Sequence, residues 1–474
     1  MTNEDLGSDA YEWGFITSDN SGSGARRNSN TIVNGYGGET ADGHVVMVAL
    51  DVDNEAIYFG KQGSWFNNGT SDNSATVKGQ IEAGTTTNAA YTGVSGRLTP
   101  SFVRQTSNNT LHVNFGQDDT FAGNETTAGN TDGNGNGKFQ YEPPSGFLAL
   151  CSDNLPNSTI GPQTSTQADD HFDTITYSGS ASNQTVTTNF QADWLWFKER
   201  TTSGIDFNLF DSSRLHSSSS AKFGRKLESN TADAETDSTA IVSQSTNDIT
   251  LLGGVSTTND TFSRTYVMWH WKANGGTTTT NDASATSVGT IDSVYQANTD
   301  AGFSIVTYTG TGSNGTIAHG LGAVPKMMIA KRRDSSSHWV VYHQDLTDAS
   351  YWLALNLTNA QDVEATHWNS TAPTSTLINL GSNTNTNGST ATYVIYAFTD
   401  VEGYSKFRKY VGNGSTDGTF VYTGFRPAWV MVKNINSNSA SWHIYDNKRD
   451  TFNRVDSRVN SNSYAVEDEI VPFG

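Results

Sequence analysis

Trp194-Leu-Trp-Phe-Lys198 is an apolar run closed by a lysine, and its design recurs at Met327-Met-Ile-Ala-Lys331 and at Trp429-Val-Met-Val-Lys433. Each copy follows a Tyr-x-Gly step, at Tyr177, Tyr308 and Tyr410, that lies 21 to 23 residues before its lysine. Each is followed by an aromatic-polar stretch: Leu209-Phe-Asp211, Trp339-Val-Val-Tyr342 and Trp442-His-Ile-Tyr445. The tyrosines are 131 and 102 residues apart, so each unit is large enough to be a small domain. Repetition on this scale describes an extended building element; a catalyst seldom needs one chemistry three times in a chain.

Two further runs, Tyr266-Val-Met-Trp-His-Trp271 and Tyr393-Val-Ile-Tyr-Ala-Phe398, close the first two copies. Side chains alternate along a strand, so Val267, Trp269 and Trp271 share one face, as do Val394, Tyr396 and Phe398. Burying each aromatic contributes about 1.5–3 kcal/mol, which makes that face a sheet core; a sugar-stacking platform is the functional alternative. The third copy has no such run, so either the chain is a fragment or a neighbour completes that sheet. Nearer the N-terminus, Val45–Leu50 and Ala56–Phe59 flank the polar turn Asp51–Glu55 and read as a hairpin, and Leu111–Phe115 reads as a short alternating strand. No stretch of ten or more residues has helix period and caps, a turn near Ala360 excepted.

The expected fold class is all-β: tandem β-sandwich domains, jelly-roll or concanavalin-like, in an elongated array. The segments are 1–157, 171–275, 298–402 and an incomplete 403–474. The polar, aperiodic stretches Ser158–Asp170 and Asn274–Ala297 read as linkers.

Composition agrees. Only 34% of the 474 residues are hydrophobic and 16% charged, yet aromatics reach 11% and fall in strand-like clusters, which separates this chain from a disordered one. A net charge of −20, spread without long acidic runs, repels phosphate backbones, so no nucleic acid is expected as a partner. The single cysteine, Cys151, excludes an intrachain disulfide, and its apolar neighbours suggest a buried thiol. The first residues show no signal-peptide pattern, and no run of about 18 apolar residues occurs, so no membrane insertion is expected.

Two resemblances follow from these residues. Ala10-Tyr-Glu-Trp-Gly14, Val46–Asp51, Ile57-Tyr-Phe59, Leu98–Phe102, Val113–Gly116 and Pro144–Leu150 resemble a SPRY-type domain, a concanavalin-like β-sandwich, without that family's opening strands. From about Phe172 onward, Ala323–Arg332, Gly403–Phe407, Tyr410–Ser415 and Thr423–Trp429 are similar to tandem domains in structural and tail-associated proteins of marine tailed bacteriophages. The segment Cys151–Pro156 resembles the link that joins the two regions in such proteins. The resemblance implies a fibre or surface protein of a virion, often trimeric, and supplies no catalytic residues.

Few residues suggest other chemistry. Trp65 and Phe66, in the Gly/Asn-rich loop Gly63–Asn67, are the exposed aromatics expected to bind a ligand, unless they fold back over the sandwich edge. Asp132-Gly-Asn-Gly-Asn-Gly137 matches the start of a calcium loop, with Asp132, Asn134, Asn136 and Glu142 as candidate oxygen ligands. The twelfth position is Pro143 rather than Glu, so a polar glycine-rich turn is the plainer reading, and calcium is the only cofactor the sequence suggests. His338 and His343 are five apart in a strand and point to opposite faces, which suits hydrogen bonding better than a shared metal. No spacing reveals a catalytic pair.

The functional expectation is a non-enzymatic virion structural protein. It is a tail fibre or tail-associated appendage, made in the host cytoplasm, that touches a host cell-surface glycan or protein. It is expected to form a homotrimer with itself and to contact other virion proteins. The alternatives are a capsid-decorating fibre, a cellular surface lectin, and a tailspike that binds or depolymerises polysaccharide.

Overall fold

A computed structural model describes residues 13–16, 25–28, 31–34, 41–67, 74–94, 100, 110–154, 160–161, 164–218, 223–415, 418–452 and 455–469. The protein is all-β, with antiparallel sheets and, among the described residues, only short helices. The chain divides into two compact units, Met1–Pro156 and Asn157–Gly474.

In the first unit the expected hairpin forms: Val46–Asp51 pairs with Ala56–Lys61 in register from Val46 opposite Lys61 to Asp51 opposite Ala56. Ser64–Trp65 and Tyr91–Thr92 add to Ala56–Lys61. Two expectations are corrected, at Leu111–Phe115 and at Cys151. A helix spans Ser74–Glu82, where Val77 and Ile81, four residues apart, bury one stripe against the sheet core; nine residues give too little periodicity to stand out. Leu111–Phe115 is not a strand, because Asn114 and Gln117 fold the chain into a turn by bonding nearby backbone groups. Cys151 is half-buried. Most of the SPRY-like segments at 10–14 and 98–102 lie outside the described residues.

The second unit carries the repeats. In the first module the sheet order is Asn208–Asp211, Trp194–Glu199, Thr265–Trp271, Phe172–Ser178. In the second it is Val340–His343, Met327–Arg332, Thr392–Phe398, Phe303–Thr309, the same order with extra strands on both edges. We call these, in chain order, the opening, lysine, following and closing strands. The stretch 274–297 is not a linker: Thr279–Asn281 and Ser293–Asn298 extend the second sheet by pairing outward from its opening strand. The third module has a lysine strand, Trp429–Lys433, a following strand, Trp442–Asp446, and then Ser457–Asn460 and Asp468–Glu469.

The alternation read from the closing strands holds. Tyr266 and Met268 turn one way, while Val267, Trp269 and Trp271 turn the other, and Val394 and Tyr396 match them. The lysine strands explain where each face goes. Leu195 and Phe197 pack outward under the small sheet formed by Gln184–Thr187, Ile241–Gln244 and Asp248–Leu251, which completes a two-layer module. Met328 and Ala330 do the same under Gly315–Ala318 and Leu377–Leu380. The opposite faces meet in one core: Trp194, Trp196 and Trp269 from the first module, Phe303, Ile305 and Tyr396 from the second, Trp442, Ile444 and Val459 from the third. Trp194 stacks on Tyr396 at 4.4 Å between ring centroids, and Trp271 meets Trp429 edge-on at 5.7 Å. Within this unit the tandem modules are packed face to face around a common interior.

Candidate functional site

The residues that recur in all three modules converge on the seams between them. Two residues beyond each repeated lysine, the carbonyls of Arg200, Arg333 and Ile435 accept from the amides of Glu467 (3.1 Å), Glu235 (2.8 Å) and Gln361 (2.9 Å). The first module thus reaches the third, the second reaches the first, and the third reaches the second. A head-to-tail contact repeated with a rotation that returns to its start forms a closed ring. Trp339 Nε1 donates to the Glu228 carbonyl and Trp442 Nε1 to the Ala354 carbonyl, both at 2.9 Å, in the same cyclic sense.

Charge follows the same path. Arg333 pairs with Glu235 at 2.8 Å and Arg200 with Glu467 at 2.6 Å. Glu235 also receives Arg225 and Arg214, and burial that would raise its pKa is outweighed by these arginines, which hold it below the usual carboxylate range. Asp211–Arg214 and Asp446–Arg449 are buried pairs at the same offset after the following strand, 2.5 and 2.6 Å apart. Each aspartate also accepts from an aromatic of a neighbouring closing strand: Asp211 from Tyr396 Oη at 2.7 Å, Asp446 from Trp269 Nε1 at 3.0 Å. Sequence reading missed this network. The repeated Asp-x-x-Arg spacing was its visible signal.

Two of the repeated lysines, Lys331 and Lys433, bond across seams, and Lys198 bonds within its own module. Lys331 Nζ donates to the carbonyls of Ala232 and Ser337, Lys433 Nζ to those of Thr358 and Asn434, and Lys198 Nζ to that of Ile205. Lys198 lies over the Phe207 ring and Lys331 over Trp339. Burial lowers all three amines to about 8.

The sequence candidates in the first unit take other roles. Trp65 is 4% exposed and Phe66 1%, each in a core cluster, so they fold back into the sandwich and are not a binding surface. The Asp132 carboxylate is filled by N–H donors: the amides of Asn134, Asn136 and Ala149 and the side chain of Asn154, at 2.6–2.9 Å. Desolvation opposes ionisation there, and the four hydrogen bonds outweigh it and keep the pKa low. The Asn134 and Asn136 side chains both donate to Asn154 Oδ1. Glu142 points away to Lys78 at 2.7 Å, which lowers its pKa. The four residues do not converge as cation ligands; the loop is a turn knotted around Asp132. No cluster of three or more His, Cys, Asp or Glu suited to a metal occurs among the described residues. His338 lies outside the strand and bonds Asn356, while His343 Nδ1 accepts from the Asp345 amide.

The second module also has a cleft of about 290 Å³ lined by Asn281, Thr286, Val288, Tyr295, Ser375 and Thr376, among others. Val288, Ala318 and two glycines share its walls with hydroxyls and the Tyr295 ring, and the Asn281 amide is already bonded to Val288 and Thr286.

The chain belongs to the family defined by DUF7483, a domain of unknown function, which matches residues 167–471. That span covers all three modules as one domain. No curated protein and no solved structure shows significant similarity to the chain. Among the described residues no helix is long and apolar enough to cross a membrane.

Proposed function

We propose that the chain is a non-enzymatic structural protein of a tailed-phage virion, a tail fibre or tail-associated appendage that contacts the host surface. One observation carries the reading: the aromatics repeated in all three modules are directed into the shared core, and the strand-ending lysines of the second and third modules bond carbonyls of the module before them. Repeated chemistry is used for cohesion, which a part under mechanical stress requires. The resemblance of residues 172–474 to virion proteins supplies the setting. Polar loops form the outer surface, and the cleft beside Tyr295 suits weak contacts with a host glycan, which identical copies on a particle multiply into avidity. A homotrimer bound to other virion proteins is the assembly the resemblance favours.

Immunogold labelling of purified particles with antibody against this chain tests the proposal. Label on the tail is expected; absence of the chain from the particles by mass spectrometry would overturn it. Incubation of the protein with host polysaccharide is expected to release no new reducing ends, and their release would replace the non-enzymatic reading with that of a depolymerase.

A further inference from the structure

Every described Asn-Gly step but one is locked by the fold. The steps are Asn134-Gly135, Asn136-Gly137, Asn274-Gly275, Asn314-Gly315, Asn387-Gly388 and Asn413-Gly414. Such a step is chemically labile, because the glycine amide nitrogen can attack the asparagine side-chain carbonyl with no Cβ in the way. The attack needs a glycine amide released from its acceptor and a side chain able to swing onto it.

Five steps fail one or both conditions. The Gly135 amide donates to the Asp132 carbonyl at 3.0 Å, the Gly275 amide to the Asp193 carboxylate at 2.8 Å and the Gly388 amide to Tyr393 Oη at 2.6 Å. Asn134 and Asn136 both give a side-chain N–H to Asn154, and a Cβ on Gly137 would stand 2.7 Å from the Phe139 ring. Gly315 is fixed in the strand Gly315–Ala318, and Asn314 Nδ2 is bonded to Asn369 at 2.7 Å. Asn387 is fully buried, with Nδ2 bonded to the Ser313 and Gly381 carbonyls. At the sixth step, by contrast, Asn413, Gly414 and Ser415 are all exposed, and the Gly414 amide donates to nothing among the described residues. A Cβ on Gly412, Gly414 or Gly418 would meet nothing within 4 Å, so a five-membered ring has room to close. The Ser415 amide donates to Asn413 Oδ1 at 3.0 Å, which folds the side chain back over the Gly414 amide. That oxygen is where negative charge develops during the attack, and an N–H aimed at it stabilises the charge.

We propose that Asn413 is a site of spontaneous deamidation, with water as the co-reactant. The Gly414 nitrogen forms a bond to Asn413 Cγ, the Cγ–Nδ2 bond breaks, and Nδ2 leaves as ammonia, taking the Gly414 amide proton. Water then adds to one carbonyl of the resulting succinimide. Opening at Cγ gives aspartate, and opening at the main-chain carbonyl gives isoaspartate; nothing is oxidised or reduced. The product carries a carboxylate between the exposed Tyr410 and Val411 on one side and the exposed Phe420 and Tyr422 on the other. Its iso form also lengthens the main chain there by one atom. A charge is thereby placed, with age, inside an exposed apolar stretch of the third module.

The test incubates the full chain at mildly alkaline pH, digests it, and reads each Asn-Gly peptide by mass spectrometry. Asn413 is expected to convert about tenfold faster than any other described step, because conversion elsewhere waits for an opening of the fold. Aspartate and isoaspartate are both expected, the second being the mark of the cyclic intermediate. Unfolding in urea is expected to bring the other five steps to the rate of Asn413. Gly414→Ala, at an exposed position with room for its Cβ, is expected to keep the fold and to slow conversion at Asn413 about tenfold. No conversion at Asn413 under conditions that convert the urea-unfolded chain would overturn the proposal. So would an equal rate at a second described step in the folded chain, aspartate without isoaspartate, or an unchanged rate in Gly414→Ala.

Discussion

Asp211 holds Arg214 at 2.5 Å with both side chains fully buried and also accepts from Tyr396 of the next module. Removing Asp211 leaves the buried Arg214 to share Glu235 with Arg225 and Arg333, so Asp211→Ala is expected to destabilise the second unit by about 3 kcal/mol in urea unfolding, the low end of the cost of breaking a buried pair. Tyr396→Phe removes only the hydrogen bond to a charged group and is expected to cost about 1.5–3 kcal/mol. The buried histidines give a pH signature. Burial lowers His270 to about 3, and His319 and His367 to about 4, from the usual 6.5. A depressed histidine pKa means that the unfolded chain takes up the proton first, so stability is full above about pH 6.5 and falls as pH drops toward 4. The thermal midpoint is expected to follow that slope, with a shallower slope in His270→Phe. At this scale sequence reading went wrong with Trp65 and Phe66: a Gly/Asn-rich neighbourhood describes the backbone of a turn, and it does not say whether the next side chains turn inward.

At the scale of elements, the salt bridges act as clasps on particular seams. Glu467 joins Arg200 and Arg449 at the first–third seam, and Glu235 gathers Arg214, Arg225 and Arg333 at the first–second seam. Glu467→Ala is expected to speed hydrogen exchange at 200–204 and 463–469 while leaving 225–237 protected; a uniform increase would contradict the assignment of each glutamate to one seam. Much of the element pattern was legible. The hairpin at 46–61 and the facing residues of the closing strands follow from period-two alternation. The strands within 274–297 were not legible, because Ser, Thr and Asn at sheet edges look like loop residues. The helix Ser74–Glu82 was hidden by its brevity.

The core of the whole second unit rests on the lysine strands of the first two modules, which are buried on both faces, whereas in the third copy Val430 is 39% exposed. Trp194-Leu-Trp-Phe is apolar at every position, and the strand Trp194–Glu199 is buried at every one. A run without alternation is the mark of a strand covered on two sides, so the signal of a second core was present in the sequence. What the sequence did not convey is that the second cover is another copy of the same module, because repetition alone fits beads on a string as well as a ring. Trp269→Ala, by opening a cavity in the shared core, is expected to cost about 3–5 kcal/mol and to weaken all three modules together. Because the modules share one interior, they are expected to unfold as one. Hydrogen exchange of the full chain through a denaturant series, read at the amides of 194–199, 327–332 and 442–446, decides this. The three segments are expected to lose protection at the same denaturant concentration; loss at three separate concentrations would refute a shared interior.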